Sequence, residues 1–252
     1  MAVALTRGVS ENLNKCLLEF LDRAPIDPVL AAAQHREYER MLASLGVRVI
    51  TLPAEPDLPD SVFVEDPALV LDEVAVICRP GAVSRRPEAV SLAKALKEFR
   101  NLLYIQEPAT IEGGDIMRIG RNLYVGLSRR TNLEGIRQLA DLTAPYGYTV
   151  IAVPVLGSLH LKSAICSLGD GAVLANREWI DATHFSNYDV IDVAEPWSAN
   201  VLRVADTVIM PDSFPQTRAL LESRGYRIAT VDVSELQKAE SGVTCSSLIF
   251  EG

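Results

Sequence analysis

Cys245 stands in "SGVTCSSLIF" (residues 241–250), where a small polar turn opens onto an apolar run. A lone cysteine is ordinary core material, so the residues that share its surroundings must decide its role. His160, in "SLHLKSA", and Glu112, in "IEGGD", complete the parts of a thiol nucleophile system. In such a system the thiolate attacks, and the imidazole protonates the leaving group and then takes a proton from water. The carboxylate fixes or charges the pair. Glu65 and Asp66, in "FVEDPALVL", add two more acids. Carboxylates raise a thiol's pKa, which makes them poor company for attack on an amide. They suit a cation such as a guanidinium, whose planar donors match paired carboxylates and whose charge stabilises the thiolate once bound.

Two arginine pairs extend this reading. "RPGAVSRRPE" holds Arg85 and Arg86, and "VGLSRRTNLEG" holds Arg129 and Arg130. They are either solvated surface residues or two guanidinium forks that capture a carboxylate. The second role serves a ligand with a cationic head and an amino-acid tail. His35, in a charged helix, and His184, in a loop, read as surface residues.

The elements that must position these groups repeat along the chain. Five β-branched segments, "VRVITLP", "NLLYIQEP", "YTVIAVPV", "YDVIDVAEP" and "YRIATVDV", begin at Val47, Asn101, Tyr148, Tyr188 and Tyr226 and read as short buried strands. Helix patterns precede at least four of them. "PEAVSLAKALKEF" puts Leu92, Leu96 and Phe99 on one face, and "VLAAAQHREYERMLASLG" ends at Gly46. The stretch "REWIDATHFSN" gives only a short candidate. Hairpin-like pairs follow four of the strands: "FVEDPALVL/DEVAVICRP", "IEGGDIMRIG/RNLYVGL", "LKSAICSLGD/GAVLAN" and "ANVLRVA/DTVIMP". The fifth, "VTCSSLIF", has one strand, and the N-terminal "AVAL" is its expected partner, closing a ring and removing sheet edges. The repeat spans roughly 50 residues. The first hairpin strand of each unit opens with Glu65–Asp66, Glu112, His160, Asn200 or Cys245. Units related by rotation would bring these positions to one pocket.

Composition excludes several classes. The chain has 252 residues, 48% of them hydrophobic, enough for a sizeable core. No apolar run approaches the ~18 residues of a membrane helix, and "MAVALTRGVSENLNK" has no long apolar stretch of the signal-peptide kind. Four scattered cysteines without a CxxC pair argue against a zinc ribbon or redox motif and fit a cytoplasmic protein with free thiols. A formal net charge of −9 makes nucleic acid and anionic membrane poor partners. "GGD" is not a dinucleotide fingerprint, and P-loop, HExxH and GxSxG motifs are missing.

Taken together and in order, "LPDSVFVEDPALV", "RPGAVSRRPE", "IEGGDIM", "VGLSRRTNLEG", "LHLKS" and "GVTCSSL" resemble the dimethylarginine dimethylaminohydrolases of the guanidine-modifying amidinotransferase/deiminase superfamily, from about Gln34 to Phe250. The resemblance implies an α/β fold: a pseudo-fivefold propeller of five ββαβ modules around a central active-site channel, with residues 1–252 as a single catalytic domain. It implies Cys245 as nucleophile, His160 as general acid/base and Glu112 as the active-site acid. It further implies Asp66 with Glu65 as guanidinium binder, Asp60 as contact for a substrate α-amino group, Phe63 as a pocket wall, and Arg85 and Arg130 as carboxylate clamps. The activity implied is hydrolysis of Nω-methylated L-arginine to L-citrulline and an alkylamine through a covalent thiouronium, with no cofactor and no metal, in a monomer or homodimer. A mobile N-terminal loop serves the family as a lid. Here "RGVSENLNKCLL" (7–18) departs from that pattern, as do Ala239–Glu240 before the cysteine, and both departures bear on substrate preference.

Two rival readings remain at this point. An arginine or other guanidine deiminase would release ammonia from the same scaffold, although arginine deiminases carry an extra helical insertion that this shorter chain lacks. A non-catalytic binder of guanidino compounds would need none of the catalytic positions, and here every one is filled.

Overall fold

The computed structural model describes residues 1–252. Strand β1 (Ala2–Arg7) leads through helix α1 (Pro28–Ser44) to β2 (Arg48–Leu52), which lies parallel to it. The hairpin of β3 (Ala68–Val70) and β4 (Val74–Ile77) continues through α2 (Glu88–Leu96) to β5 (Asn101–Tyr104), parallel to β4. The hairpin of β6 (Ile116–Ile119) and β7 (Asn122–Leu127) continues through α3 (Leu133–Thr143) to β8 (Thr149–Pro154). One turn of helix, α4 (Leu161–Ala164), precedes β9 (Ile165–Gly169) and β10 (Ala172–Ala175), which a 3-10 turn at Ala182–Phe185 joins to β11 (Asp189–Asp192). Strands β12 (Leu202–Val204) and β13 (Thr207–Pro211) continue through α5 (Pro215–Ser223) to β14 (Arg227–Val231). A last helical turn, α6 (Ser234–Gln237), leads to β15 (Leu248–Glu251), which pairs antiparallel with β1 from Leu5↔Leu248 to Ala2↔Glu251. The result is five three-stranded sheets with one order: a first strand antiparallel to a middle strand, and a third strand parallel to it.

Local chemistry sets the helix ends. Asp27 caps α1 by accepting the N–H groups of Val29 and Leu30 at 2.9 and 3.1 Å, with Pro28 as the first helical residue. Gly46 ends it in the left-handed region at φ 84°. Asn132 caps α3 through Gly135 N–H at 2.8 Å.

Packing follows the twofold side-chain alternation of strands. Val74 and Val76 of β4 join one apolar cluster with Ile116, Leu123 and Val125, while Ala75 and Ile77 join another with Val3, Leu5 and Phe250. Likewise Leu123 and Val125 of β7 pack on one side and Tyr124 on the other, against Ile165 and Val173. Leu174 of β10 packs with Val208 and Met210, and Ile209 of β13 turns the opposite way to meet Ala4 and Tyr38. Five clusters therefore each lie between two sheets, and the fifth joins the last sheet to the first. Each fully buried Val, Leu or Ile contributes about 1.5–3 kcal/mol. Middle strands buried on both faces read as continuous apolar runs.

Two expectations are corrected here. The segments read as buried strands are the third strands of their sheets; β5 and β11 keep exposed residues at both ends, and β2 keeps Arg48 and Thr51 exposed. They pair along one edge only, so their outer positions face solvent. His35 is buried, not a surface residue (2% exposed). It lies on the inner side of α1 with Tyr38 and Leu42, one and two turns along, and its ring stands 3.4 Å from Glu39. No helix is long and apolar enough to cross a membrane.

Candidate active site

The reactive residues sit just before the first strand of each sheet, in the turn that enters it, rather than in the strand itself. Asp66, Glu112, His160, Asn200 and Cys245 each hold this place. Turns are less constrained than strands, so their side chains can aim inward.

The turn bearing Cys245 is fastened on several sides. Asn200 accepts the Thr244 N–H at 3.1 Å and donates to the Thr244 hydroxyl at 3.0 Å. That hydroxyl donates to Glu65 at 2.9 Å, and Glu65 N–H donates to the Cys245 carbonyl at 3.2 Å. A side chain at Gly242 would place a Cβ 2.1 Å from the Asn200 oxygen, so only glycine fits there. The Gly242 N–H points at the Cys245 sulfur from 3.5 Å. Cys245 is the one free cysteine of four that is not fully buried.

His160 lies between two carboxylates. Its Nε2 is 2.7 Å from Glu112, and its Nδ1 is 3.8 Å from Asp66. The pair of glycines in "EGGD" is a packing requirement. A Cβ at Gly113 would fall 2.0 Å from the Glu65 carbonyl oxygen, and one at Gly114 would fall 2.6 Å from both Asp66 and His160 Nδ1. Asp115, the next residue, is fully buried and accepts from the hydroxyls of Ser128 and Thr131 at 2.6 Å each. It also accepts the Leu161 N–H at 2.9 Å, which fixes the backbone beside His160.

These contacts set the protonation states. Burial disfavours the imidazolium of His160, but Asp66, Glu112 and Asp115 outweigh it and push its pKa up to about 9. Burial works against the Glu112 carboxylate too, yet His160, Arg85 and Arg130 hold it well below the ordinary range. Burial, with the charges of Glu65 and Asp66, pushes the Cys245 thiol up to about 12. At neutral pH the site therefore holds an imidazolium and a protonated thiol.

One small cavity, of about 20 Å³, is lined by Asp60, Phe63, Asp66, Arg85, Arg130, His160 and Cys245. Seven of the nine residues singled out in the sequence meet there, and Glu112 stands behind His160. Glu65 does not. It and Asp66 are consecutive and point to opposite sides, so Glu65 forms a buried ion pair with Lys162 and borders a separate cavity on the far side. Neither Arg85 nor Arg130 is a solvated surface residue. Arg85 is 4% exposed and binds Asp66 at 2.6 Å, both oxygens of Glu88 at 3.0 and 2.8 Å, and the carbonyls of Asp60 and Phe63 at 3.3 Å. Arg130 binds Glu112 at 3.2 Å and Glu19 at 2.6 Å.

Glu19 belongs to a segment that crosses the cavity. Leu17 lines it and donates its N–H to Asp60 at 3.2 Å. The N–H groups of Glu19, Phe20 and Leu21 all converge on one oxygen of Glu240, at 2.8, 2.6 and 2.7 Å. Glu240 adopts φ 59°, a left-handed conformation that costs a non-glycine residue about 1–2 kcal/mol. The three backbone donors offset that cost. Sequence reasoning passed over Lys162, Asp115 and Glu19, and it marked Glu240 only as a departure from the family pattern. "LHLKS" offered a signal for the lysine, two residues after the histidine. The backbone donors of the crossing segment leave none.

Ligand atoms of Asp66, Glu112 and His160 lie within 4.8 Å of one another, a spacing that could hold a metal ion. Arg85 and Arg130 already bind the two carboxylates, so a further cation there would meet two fixed positive charges.

Residues 24–248 match the family model described as N,N dimethylarginine dimethylhydrolase, eukaryotic. An N(G),N(G)-dimethylarginine dimethylaminohydrolase of Pseudomonas aeruginosa is 38% identical over 228 residues, covering 89% of this chain and 90% of the relative. One from Streptomyces coelicolor is 37% identical and covers 97% and 95%. Among solved structures, a cysteine-to-serine variant of the Pseudomonas aeruginosa enzyme complexed with citrulline superposes with a TM-score of 0.95, at 35% identity over 98% of each chain. A dimethylarginine dimethylaminohydrolase adduct with S-methyl-L-thiocitrulline superposes with a TM-score of 0.94 at 35% identity, over 98% of this chain and 99% of that one.

Proposed function

The chain belongs to the dimethylarginine dimethylaminohydrolase family, and from that premise we propose that it hydrolyses Nω-methylated L-arginine to L-citrulline and methylamine or dimethylamine. The observation that carries the reading is a single buried cavity in which the Cys245 thiol shares walls with an imidazolium braced by two carboxylates.

The reaction begins with a thiol, not a thiolate, because burial, reinforced by Glu65 and Asp66, opposes ionisation of Cys245. A guanidinium beside Asp66 brings the missing positive charge, and the thiol loses its proton to solvent as substrate binds. The Gly242 N–H supports the thiolate. Sulfur attacks the guanidinium carbon, forming the C–S bond. His160 gives its proton to the alkylated nitrogen as the C–N bond breaks and the amine departs. The S-alkylthiouronium stays on Cys245. His160, now neutral, takes a proton from water and the hydroxide adds to the same carbon. The C–S bond then breaks as the new hydroxyl's proton passes to the departing sulfur, leaving the ureido group of citrulline and the resting thiol. Glu112 keeps the imidazole oriented in both directions of proton transfer. Asp60 faces a substrate α-amino group and Arg130 its carboxylate. Arg85, with Asp66 and Glu88 already on it, orders the wall between them.

For the whole chain we infer a pseudo-fivefold propeller in a single domain, the five sheets being blades around one channel. Five interlocking core clusters and five equivalent entry turns support it. Incubation with asymmetric dimethylarginine tests the activity: citrulline and dimethylamine are expected in equal amounts. Ammonia from unmethylated arginine at a higher kcat/KM would favour a deiminase instead, and no product amine from either would leave a binder.

A further inference from the structure

We propose that Glu19 is a specificity-determining residue whose carboxylate holds the seat on Arg130 that the substrate's α-carboxylate must take. The inference rests on the reading of Arg130 as a carboxylate clamp. Arg130 is buried, and its Nε donates to Glu19 at 2.6 Å while its Nη1 reaches both oxygens of Glu112 at 3.2 and 3.3 Å. One guanidinium is thus already shared between two carboxylates, and a third meets no uncompensated positive charge until Glu19 leaves. Arg85 does not relieve the shortage, because Asp66 and Glu88 neutralise it.

The Glu19 side chain is not what closes the crossing segment. That task falls to main-chain donors: Leu17 N–H on Asp60, and Glu19, Phe20 and Leu21 N–H on Glu240. A change of the Glu19 side chain leaves those four bonds in place and isolates the competition for Arg130. Glu19 also keeps a quarter of its side chain exposed, so it can swing into water when displaced. A ligand without a carboxylate does not need the seat and does not displace Glu19. The device therefore raises KM for amino-acid substrates selectively and keeps Arg130 neutralised between turnovers.

Steady-state kinetics of wild type, Glu19→Gln, Glu19→Ala and Arg130→Gln tests this with two substrates, Nω-methylarginine and its decarboxylated analogue. Both Glu19 variants are expected to lower KM for the amino acid by about threefold to tenfold, the size of a half-buried ion pair. KM for the decarboxylated analogue is expected to stay within about twofold. Arg130→Gln is expected to raise KM for the amino acid alone and to cancel the effect of Glu19→Gln in the double variant. Unchanged or higher KM for the amino acid in both Glu19 variants, with Arg130→Gln still damaging, overturns the competition but leaves the clamp standing. An equal fall for both substrates also overturns it, because a freed Arg130 acts only on the ligand that carries a carboxylate. Arg130→Gln without effect on KM removes the clamp and the inference together.

Discussion

At the floor of the cavity, buried residues from the entry turns of three sheets meet: Asp66 and Glu112 flank His160, and Asp115 behind them holds the backbone beside it. The segment Leu17–Leu21 above them is held instead by its own backbone N–H groups, gathered on Asp60 and Glu240. The two arrangements suit different work. A buried, mutually satisfied network fixes protonation states and geometry, and it is costly to disturb. Main-chain donors on two carboxylates can exchange for water one at a time, which suits a segment that substrate must pass. Chemistry thus belongs to the floor and selection to the crossing segment. Substitutions can test that division.

The largest effect is expected at Cys245. Cys245→Ser keeps the shape but loses the sulfur nucleophile, and turnover should fall on the order of 10⁴-fold or more while circular dichroism stays native. His160→Asn follows, with a loss of about 10²–10⁴-fold in kcat. It also tests linkage. His160 titrates higher in the folded state than the ordinary value of 6.5, so its imidazolium stabilises the fold fully below about pH 6.5. That stability is lost as pH rises through about 9. The wild-type melting temperature should therefore approach that of His160→Asn between pH 6.5 and 9, and a constant gap over that range would contradict the assignment. Asp115→Asn is expected to be milder, about tenfold in kcat. Its charge is one of those that raise the His160 pKa, so the alkaline limb of the pH–rate profile should move to lower pH. A limb that stays put would reduce Asp115 to a structural residue. The smallest effect is expected at Glu240, where Glu240→Ala removes the acceptor of three N–H groups. KM should rise a few-fold, and hydrogen exchange at Glu19–Leu21 should quicken while the floor stays protected. Faster exchange at Asp115 or Leu161 would break the division between the two regions.

Much of this was legible in the sequence, for physical reasons. Middle strands are apolar on both faces, so "DEVAVI" and "DTVIMP" stand out, and the pairing of "AVAL" with "SSLIF" followed from one strand left without a partner. The turn residues were found because five polar or reactive groups recur at one place in a repeat. Their spatial sense was harder to read. Glu65 and Asp66 lie in the turn before β3, where no regular alternation assigns each a side, and the motif "VED" carries no sign of which faces the cavity. Arg85 reads as a free clamp until Glu88, three residues on, is seen to take two of its donors. Glu19 was out of reach, since its partner is an arginine more than 100 positions away, and Glu240 stood out only as a departure, its main-chain partners leaving no trace in the sequence.

Rapid quenching of the enzyme during turnover of asymmetric dimethylarginine, followed by peptide mapping, tests the central claim most directly. A covalent amidine adduct confined to the peptide bearing Cys245, forming and decaying at rates compatible with citrulline release, is the expected result. Sustained turnover with Cys245 unmodified throughout, or an adduct on any other residue, would contradict the account.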